Sequence, residues 1–341
     1  MTPDAAPPFD LTDEILDLVS EIETTLGLLN SYLPPERHIL LRRANRIRTV
    51  HASCAVEGNT LTAEQVEALL EGRRVRGPAM EIREVKNALE AYERIEEWNP
   101  TESCDLKTAH GVLMADLVEG PGEFRHGAAG IAGAVGIVHV APPADRVPFL
   151  VDDLLDWLNE AGAHPLIKGC VVHYELEFIH PFVDGNGRLG RLWQTLILGR
   201  WNPVCLLLPV EHVIRNRQEA YYAALRESDS AGRSTPFIRF MLRAIRDSLD
   251  ELAREADTAA TPQVTPQVKR LLAACEGEFS RAELQERLGL ADRKHFRASY
   301  LLPALDAGLI EMTIPDKPRS SAQRYRLTAF GNRSRREAFE E

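Results

Sequence analysis

Apolar residues along the first hundred positions recur at intervals of three and four. Leu11, Ile15, Leu18, Ile22, Leu26 and Leu29 form one such stripe, which predicts a helix over 11–29. A second helix is predicted from Pro35 to about Glu57, where Gly58 offers a left-handed stop. Thr62 and Gln65 make a capping box, flanked by Leu61 and Val66 as a hydrophobic staple, so a third helix starts there and ends near Gly72. The spacing of Ile82, Val85, Leu89, Tyr92 and Ile95 predicts a fourth, from Met80 to Trp98.

The pattern changes between Gly120 and Pro143. This stretch is rich in Gly and Ala, then alternates through Ile137, Val138, His139 and Val140, and reads as a mobile loop or a β-hairpin. Helical periodicity returns over Phe149–Glu160, Pro165 to about Phe178 and Arg188–Arg200, then around Tyr221 and over Phe237–Arg254. Thr-Pro-Gln-Val occurs twice from Thr261 to Val268, a short Pro-containing repeat that reads as a linker with Pro266 opening the next helix. Beyond it, Ser280 and Glu283 form a second capping box, and Asp292 caps a further helix through Leu305. Strands are predicted at 309–314 and 323–327. Helix, turn, helix and a two-stranded wing is a winged-helix pattern. The expected fold class is therefore mainly α, with a hairpin in the body and a small α+β module at the C-terminus.

Composition narrows the function. The 341 residues are 44% hydrophobic and 27% charged, as in a globular protein able to bury its own core. Five scattered cysteines, none in a C-x-x-C pair, exclude a disulfide scaffold and speak against a zinc ribbon. No run reaches the roughly 20 apolar residues of a membrane span. Residues 1–10 lack the basic start and apolar stretch of a signal peptide, so the expected compartment is the cytoplasm. Net charge is −11, which argues against a chain coated by nucleic acid. The charge is uneven: residues 261–341 carry 14 Lys and Arg against 11 Asp and Glu, or +3, leaving 26 against 40, or −14, for the rest. A C-terminal module with its own partner is consistent with that asymmetry.

The most informative run is His180-Pro181-Phe182-Val183-Asp184-Gly185-Asn186-Gly187-Arg188-Leu189-Gly190-Arg191. Gly185 and Gly187 flank Asn186 just before a predicted helix. Glycines let successive backbone N–H groups converge, and a helix N-terminus adds partial positive charge, so this elbow is an anion cradle. Arg188 and Arg191 project from the first helical turns, where their charge opposes the helix dipole. That placement makes sense if they reach toward a polyphosphate. Asp184 offers a hard oxygen suited to Mg²⁺ carried by a nucleotide. His180 titrates where it can take a hydroxyl proton near neutral pH. Singly, each residue also fits a turn, a packed core or a solvated helix face. Their joint occurrence within one short run is what points to phosphate chemistry.

Gly185-x-Gly187-x-x-Gly190 is formally a dinucleotide fingerprint, with Glu211 at a suitable distance. The preceding stretch fits a helix rather than a strand, however, and no strand–helix alternation surrounds it. A P-loop is excluded by its missing motif and a protein kinase by its missing downstream motifs. His173, seven residues before His180, matches no zinc spacing and reads as a packing or hydrogen-bonding residue. Trp157 and Trp193 read as core.

The 180–191 run resembles the signature of the Fic family, His-Pro-Phe-x-(Asp/Glu)-Gly-Asn-Gly-Arg-x-x-Arg, at every defined position. The resemblance extends over about Leu106 to Leu225 and takes in the Pro121–Arg125 loop and Pro142-Pro143. It implies a helical core with a β-hairpin flap that transfers AMP from ATP, with Mg²⁺, to a Ser, Thr or Tyr hydroxyl of a target protein. By position, His180 would be the general base and Asp184 would hold Mg²⁺. Gly185, Asn186 and Gly187 would cradle the phosphates. Arg188 would face the β-phosphate and Arg191 the γ-phosphate. The segment about 130–143, with Gly136, Ile137, Val138 and His139, would be the flap that pairs with an extended target segment. Glycine at 187, where the phosphate-transferring Doc-like branch carries Lys, favours nucleotidyl transfer.

A second constellation is Ser53-x-x-x-Glu57-Gly58-Asn59. Ser53 and Glu57 share one helical face. Glu57 lies at a helix C-terminus, where its charge is disfavoured, so it is either solvated at a frayed end or paired with an arginine such as one at the phosphate site. The run resembles the Fic inhibitory motif, (Ser/Thr)-x-x-x-Glu-(Gly/Asn). The resemblance implies that Glu57 pairs with Arg191 in the γ-phosphate position and restrains the enzyme. Regions follow: 1–100 with the inhibitory motif at 53–59, a core at 101–255, a linker at 256–268 and a winged-helix-like module at 269–341. In that module Arg293, Lys294 and Arg297 lie on the helix that the winged-helix pattern makes the recognition helix, where they would meet DNA phosphates or bases. The stretch from Asp292 to Gln323, including Met312–Ser320, also resembles the winged-helix tail of many bacterial Fic proteins. Two rivals stay open: AMP removal at the same site, and a DNA-binding regulator whose core senses nucleotide. A homodimer, and DNA or protein contact through the C-terminal module, are further partner expectations. No membrane partner is expected.

Overall fold

The computed structural model describes residues 6–32, 35–133, 136–260, 265–275, 277–306, 308–313, 323–328, 331–332 and 335. The chain divides into two compact units, Met1–Ala253 and Arg254–Glu341, so the regions 1–100 and 101–255 fall within one body up to residue 253.

The first unit is a stack of helices: α1 (Asp13–Tyr32), α2 (Pro35–Val56), α3 (Ala63–Leu70), α4 (Ala79–Glu93), α5 (Ser103–Leu113), α6 (Val147–Glu160), α7 (Pro165–Ile179), α8 (Asn186–Trp201), α9 (Val210–Asn216) and α10 (Gln218–Ala231). Helix α11 (Thr235–Ala260) begins in it and runs past its end. The stripe on α1 holds from Ile15 onward: Ile15, Leu18, Ile22, Leu26 and Leu29 are all buried, whereas Leu11 lies ahead of the helix and is exposed. Thr62 caps α3 in a full capping box, and Leu61 and Val66 are buried beside it. Helix α4 ends at Glu93, short of the predicted Trp98, because the chain tightens there into a 3₁₀ turn over Ile95–Glu97. Ile95 and Trp98 still reach the core, so the apolar stripe outlasts the helix that suggested it.

Helices α7 and α8 pack side by side at the centre. α7 buries residues on every face, from Leu166 to Ile179, as a helix enclosed by others must. His173 is fully buried between them. Its Nδ1 meets Gln194 Oε1 at 2.6 Å and its Nε2 meets the Tyr221 hydroxyl at 3.1 Å, and burial drives its pKa down to about 3. It is a packing and hydrogen-bonding residue, and Trp157 and Trp193 are core.

The Gly- and Ala-rich stretch forms an antiparallel hairpin, β1 (Gly130–Gly133) with β2 (Gly136–Val140), its register shifting between Ile131 and Ala132. Gly136, Ile137, Val138 and His139 all lie on β2, of which the backbone alone is described.

The second unit holds α12 (Pro266–Ala274), α13 (Arg281–Arg287), α14 (Arg293–Phe296), a π-helical turn over Arg297–Leu301 and α15 (Leu302–Asp306). Strands β3 (Ile310–Met312) and β4 (Tyr325–Leu327) pair antiparallel, and Phe279 adds a bridge to Tyr325. Leu271, Leu272, Leu284, Phe296, Leu301 and Leu309 form its core. The expected linker 256–268 is shorter than drawn. Helix α11 continues through Ala260, helped by three alanines, and α12 begins at Pro266. Residues 261–264 and most of Met312–Ser320 lie outside the described residues. No helix among the described residues is long and apolar enough to cross a membrane.

Candidate active site

The site is the corner between α7 and α8. α7 ends on His180, whose φ of 50° is left-handed, an uncommon conformation for a residue with a side chain. The chain then turns through Pro181–Gly185 into α8. Gly185 caps that helix with φ of 84°, and a methyl group there would stand 2.5 Å from the Met114 sulfur. Both the backbone angle and the space therefore require glycine.

The turn is braced from two sides. Asn186 folds its side chain back onto Phe182: Phe182 N–H donates to Asn186 Oδ1, and Asn186 Nδ2 donates to Phe182 O, both at 2.9 Å. The buried Asn186 side chain is thus spent on the loop, and what it offers an anion is its backbone N–H. Leu189 donates the first intrahelical hydrogen bond, to Gly185 O, so the N–H groups of Asn186, Gly187 and Arg188 precede the helix's own ladder. On the other side His110 lies flat on Phe182, ring centroids 3.7 Å apart. Gly122 N–H donates to His110 Nδ1, which leaves Nε2–H to donate to Asp184 O, each at 2.9 Å. Burial holds His110 at a pKa of about 4, so the ring is neutral and the tautomer is fixed by its two partners.

Arg191 is almost wholly buried. It donates from Nε to Ser53 Oγ at 3.0 Å, from Nη2 to Ser53 O at 3.1 Å, and from Nη2 to Glu57 Oε1 at 2.7 Å. Burial works against its charge, but the Glu57 carboxylate, together with Tyr221 and Glu177, outweighs that and holds the guanidinium above its ordinary pKa. The Glu57 carboxylate also lies over the start of α8. A methyl group on Gly187 would meet Glu57 Oε1 at 2.5 Å. Glu57 follows directly on α2, so the expected pairing across the helix end is what the structure contains. An anionic side chain therefore already sits on the anion cradle.

Arg188 pairs with Glu84 of α4 at 2.5 Å and with Asp184 at 3.2 Å. Glu84 is held in turn by Asn59 Nδ2 at 2.7 Å. The turn carrying Glu57 is thus tied to both arginines, to one directly and to the other through Asn59 and Glu84. Asp184 is exposed, and its Oδ1 accepts from Gly185 N–H at 2.6 Å. Among the described residues no three His, Cys, Asp or Glu converge as a metal cage. A single exposed carboxylate suits a cation that brings phosphate oxygens as its other ligands. His180 is half-buried at the same corner.

Three residues of the corner escaped the motif reading: Glu84, His110 and Glu177. Tyr221 donates its hydroxyl to Glu177 Oε1 at 3.3 Å, and burial, with Glu57 nearby, pushes the Glu177 carboxyl up to about 7. Glu177 lies just before the 180–191 run, and Asn59 is within the 53–59 run, which gave no sign of its bond to Glu84. Glu84 and His110 are distant in sequence, and only packing brings them in.

Comparison with known proteins points to one family. The Fic/DOC family matches residues 100–198, and the C-terminal domain of filamentation induced by cAMP protein Fic-like matches residues 266–328. Protein adenylyltransferase Fic of Drosophila willistoni is 30% identical over 234 residues, covering 63% of this chain and 44% of the relative. Protein adenylyltransferase fic-1 of Caenorhabditis elegans is 29% identical over 249 residues, covering 66% and 47%. The chain spans about half the length of the curated relatives it matches. The crystal structure of a Fic family protein from Desulfovibrio desulfuricans G20 shares 49% identity with a TM-score of 0.71, covering 95% of this chain and 98% of that one. Fic-1 (residues 134–508) from C. elegans, at 22% identity and a TM-score of 0.61 over 72% and 73%, shares the fold.

Proposed function

This chain belongs to the Fic family, and we propose on that premise that it is a protein adenylyltransferase held in check by its own Glu57. The observation that carries the reading is the Glu57 carboxylate lying on Gly187 and paired with buried Arg191, where an anionic substrate group would otherwise sit.

ATP is the substrate. Its phosphates would take the N–H groups at the start of α8, with Arg191 balancing the terminal phosphate and Arg188 the next one. Asp184 would carry Mg²⁺, which supplies charge neutralisation on the phosphates when bound. His180 would accept the proton of the incoming Ser, Thr or Tyr hydroxyl as its oxygen attacks the α-phosphorus. Pyrophosphate leaves in line, so the chain's work is positioning and charge stabilisation. The hairpin would lay an extended target segment beside the site by strand addition. With Glu57 in place, Arg191 is already engaged, and the nucleotide would bind without its productive pose.

Labelling with α-³²P-ATP tests this. Glu57→Gly is expected to raise AMP incorporation into lysate protein, and His180→Ala in that background to abolish it. Equal labelling by wild type and Glu57→Gly would defeat the reading. Release of free AMP from a pre-labelled target, without incorporation, would favour AMP removal instead.

We read the second unit as a winged helix that docks on a partner. Arg293, Lys294 and Arg297 are exposed on and just after α14, which supports nucleic acid as that partner. A gel shift lost in the triple alanine variant would support it, and an unchanged shift would remove it.

A further inference from the structure

We infer that Arg125 is a positioning residue that locks the reacting histidine and the flap to one another; the inference rests on the AMP-transfer reading above. Arg125 ends the Pro121–Arg125 loop and is 3% exposed. Its hydrogen bonds go to backbone carbonyls. Nε donates to His180 O at 2.7 Å, Nη2 to Ile179 O at 3.2 Å and to Pro142 O at 2.5 Å, and Nη1 to Gly127 O at 2.8 Å. Its own N–H donates to Pro181 O at 2.9 Å.

Three consecutive carbonyls, at 179, 180 and 181, are therefore gripped by one residue. They bracket the left-handed His180, a conformation that persists only where the surroundings over-determine it. They also stand at the C-terminus of α7, where carbonyls carry partial negative charge and attract a cation. The remaining two carbonyls, Gly127 and Pro142, lie on either side of the hairpin β1–β2. Ala141 N–H closes the hairpin's neck on Ala129 O at 3.2 Å. One guanidinium thus joins the base's backbone to both ends of the flap. Burial pulls its pKa down, and the carbonyl cluster is what makes that burial tolerable. Lysine could not replace it: an ammonium is a compact point, whereas the guanidinium fork reaches four carbonyls in three segments.

The histidine ring and the strand that presents the acceptor hydroxyl must meet within a fraction of an ångström. A residue that sets both at once controls the rate and leaves nucleotide binding alone. The test compares Arg125→Lys with its parent, both carrying Glu57→Gly. With α-³²P-ATP and lysate acceptor, the rate of incorporation is expected to fall about 100-fold, as for a misplaced reacting group. The KM for ATP and the affinity for AMP-PNP with Mg²⁺ are expected to stay within about twofold, since no phosphate contact is touched. Hydrogen exchange is read alongside, at the amides of His180 and Ala141. Both are expected to exchange faster in Arg125→Lys while amides of α1 and α6 do not. An unchanged rate with unchanged exchange at both amides overturns the inference, and so does parallel loss of AMP-PNP affinity and of protection throughout the first unit. Should the parent itself incorporate no AMP, the AMP-transfer reading fails, and exchange at the two amides still decides whether Arg125 locks them.

Discussion

The starts of α8 and α14 both carry basic residues where the dipole disfavours them, and they differ in other respects. At the start of α8, Arg188 and Arg191 are buried, and each is met by a carboxylate from another helix or its end, Glu84 and Glu57. At the start of α14, Arg293 and Lys294 are exposed, and the cap is Asp292, whose Oδ1 accepts from Lys294 N–H at 2.7 Å and from His295 N–H at 3.1 Å. The first cap is a glycine with no side chain to offer. A carboxylate cap satisfies its own helix, whereas a glycine cap leaves the backbone N–H groups for something else. Buried arginines must be paired, and exposed ones need not be. The same residue types are therefore paired inside the fold in one place and left open to an outside partner in the other.

The comparison breaks first at the reacting histidine. His180→Ala in a Glu57→Gly background is expected to lower AMP incorporation by about 10²- to 10⁴-fold, the range for a lost general base. Survival of the rate would mean that the corner is not the reacting site.

Glu57→Gly comes next. Incorporation is expected to rise by about 5- to 150-fold, the usual span of one coupling between sites. The variant should also melt at lower temperature than wild type, because the buried Arg191 loses its carboxylate. ATP with Mg²⁺ should return more stability to the variant than to wild type, because a polyphosphate can re-pair Arg191. Thermal melts with and without nucleotide read this directly.

A smaller effect is expected from pH. The Glu177 carboxyl is raised from an ordinary 4.5 to about 7 by burial, then by Glu57, against the pull of Arg191 and Tyr221. The folded chain thus keeps a proton that the unfolded chain has already released. This contribution to stability is complete below about pH 4.5 and is lost as the pH climbs toward 7. Above 7 a second carboxylate charge stands beside Glu57 and competes for Arg191, so the restraint should slacken. Expected is a ratio of wild-type to Glu57→Gly rates that rises up to about tenfold from pH 6 to 8, one pKa unit of coupling being a factor of ten. Glu177→Gln should flatten it, and a ratio that climbs as steeply in Glu177→Gln would exclude Glu177 as the cause.

At the other helix start the effects shrink. Asp292→Ala is expected to lower the denaturation midpoint of the second unit modestly, as loss of an ordinary N-cap does, readable by denaturant titration. Replacing Arg293, Lys294 and Arg297 together by alanine should change stability by no more than about 0.5 kcal/mol and leave AMP incorporation unaltered. A large loss of stability there would show that the exposed cluster is structural after all.

Much of this was legible in the residues. Periodicity placed α1, Pro35 and Gly58 bracketed α2, and two capping boxes marked helix starts to the residue, because caps, stops and stripes are local. The 180–191 run announced an anion site because a cradle is built from one continuous segment. The pairing of Glu57 with Arg191 was expected from a resemblance and a misplaced charge, and the structure contains it; Ser53, expected only to share the helical face of Glu57, is a further partner of that guanidinium. Helix α4 was drawn too long because a 3₁₀ turn continues the same apolar face. Asn186 entered as a phosphate contact, yet its side chain is committed to Phe182, a choice that depends on the fold of the turn.

Local chemistry was thus fixed by sequence: which segments are helical, where they stop, and which short run can hold an anion. The fold alone decided who faces whom. Glu84 reaches Arg188 across 104 positions, and Arg125 reaches His180 across 55. Such partners meet only after helices have packed. Hydrophobic burial sets that packing without regard to the polar groups it brings together, so a string of residues carries no local mark of them.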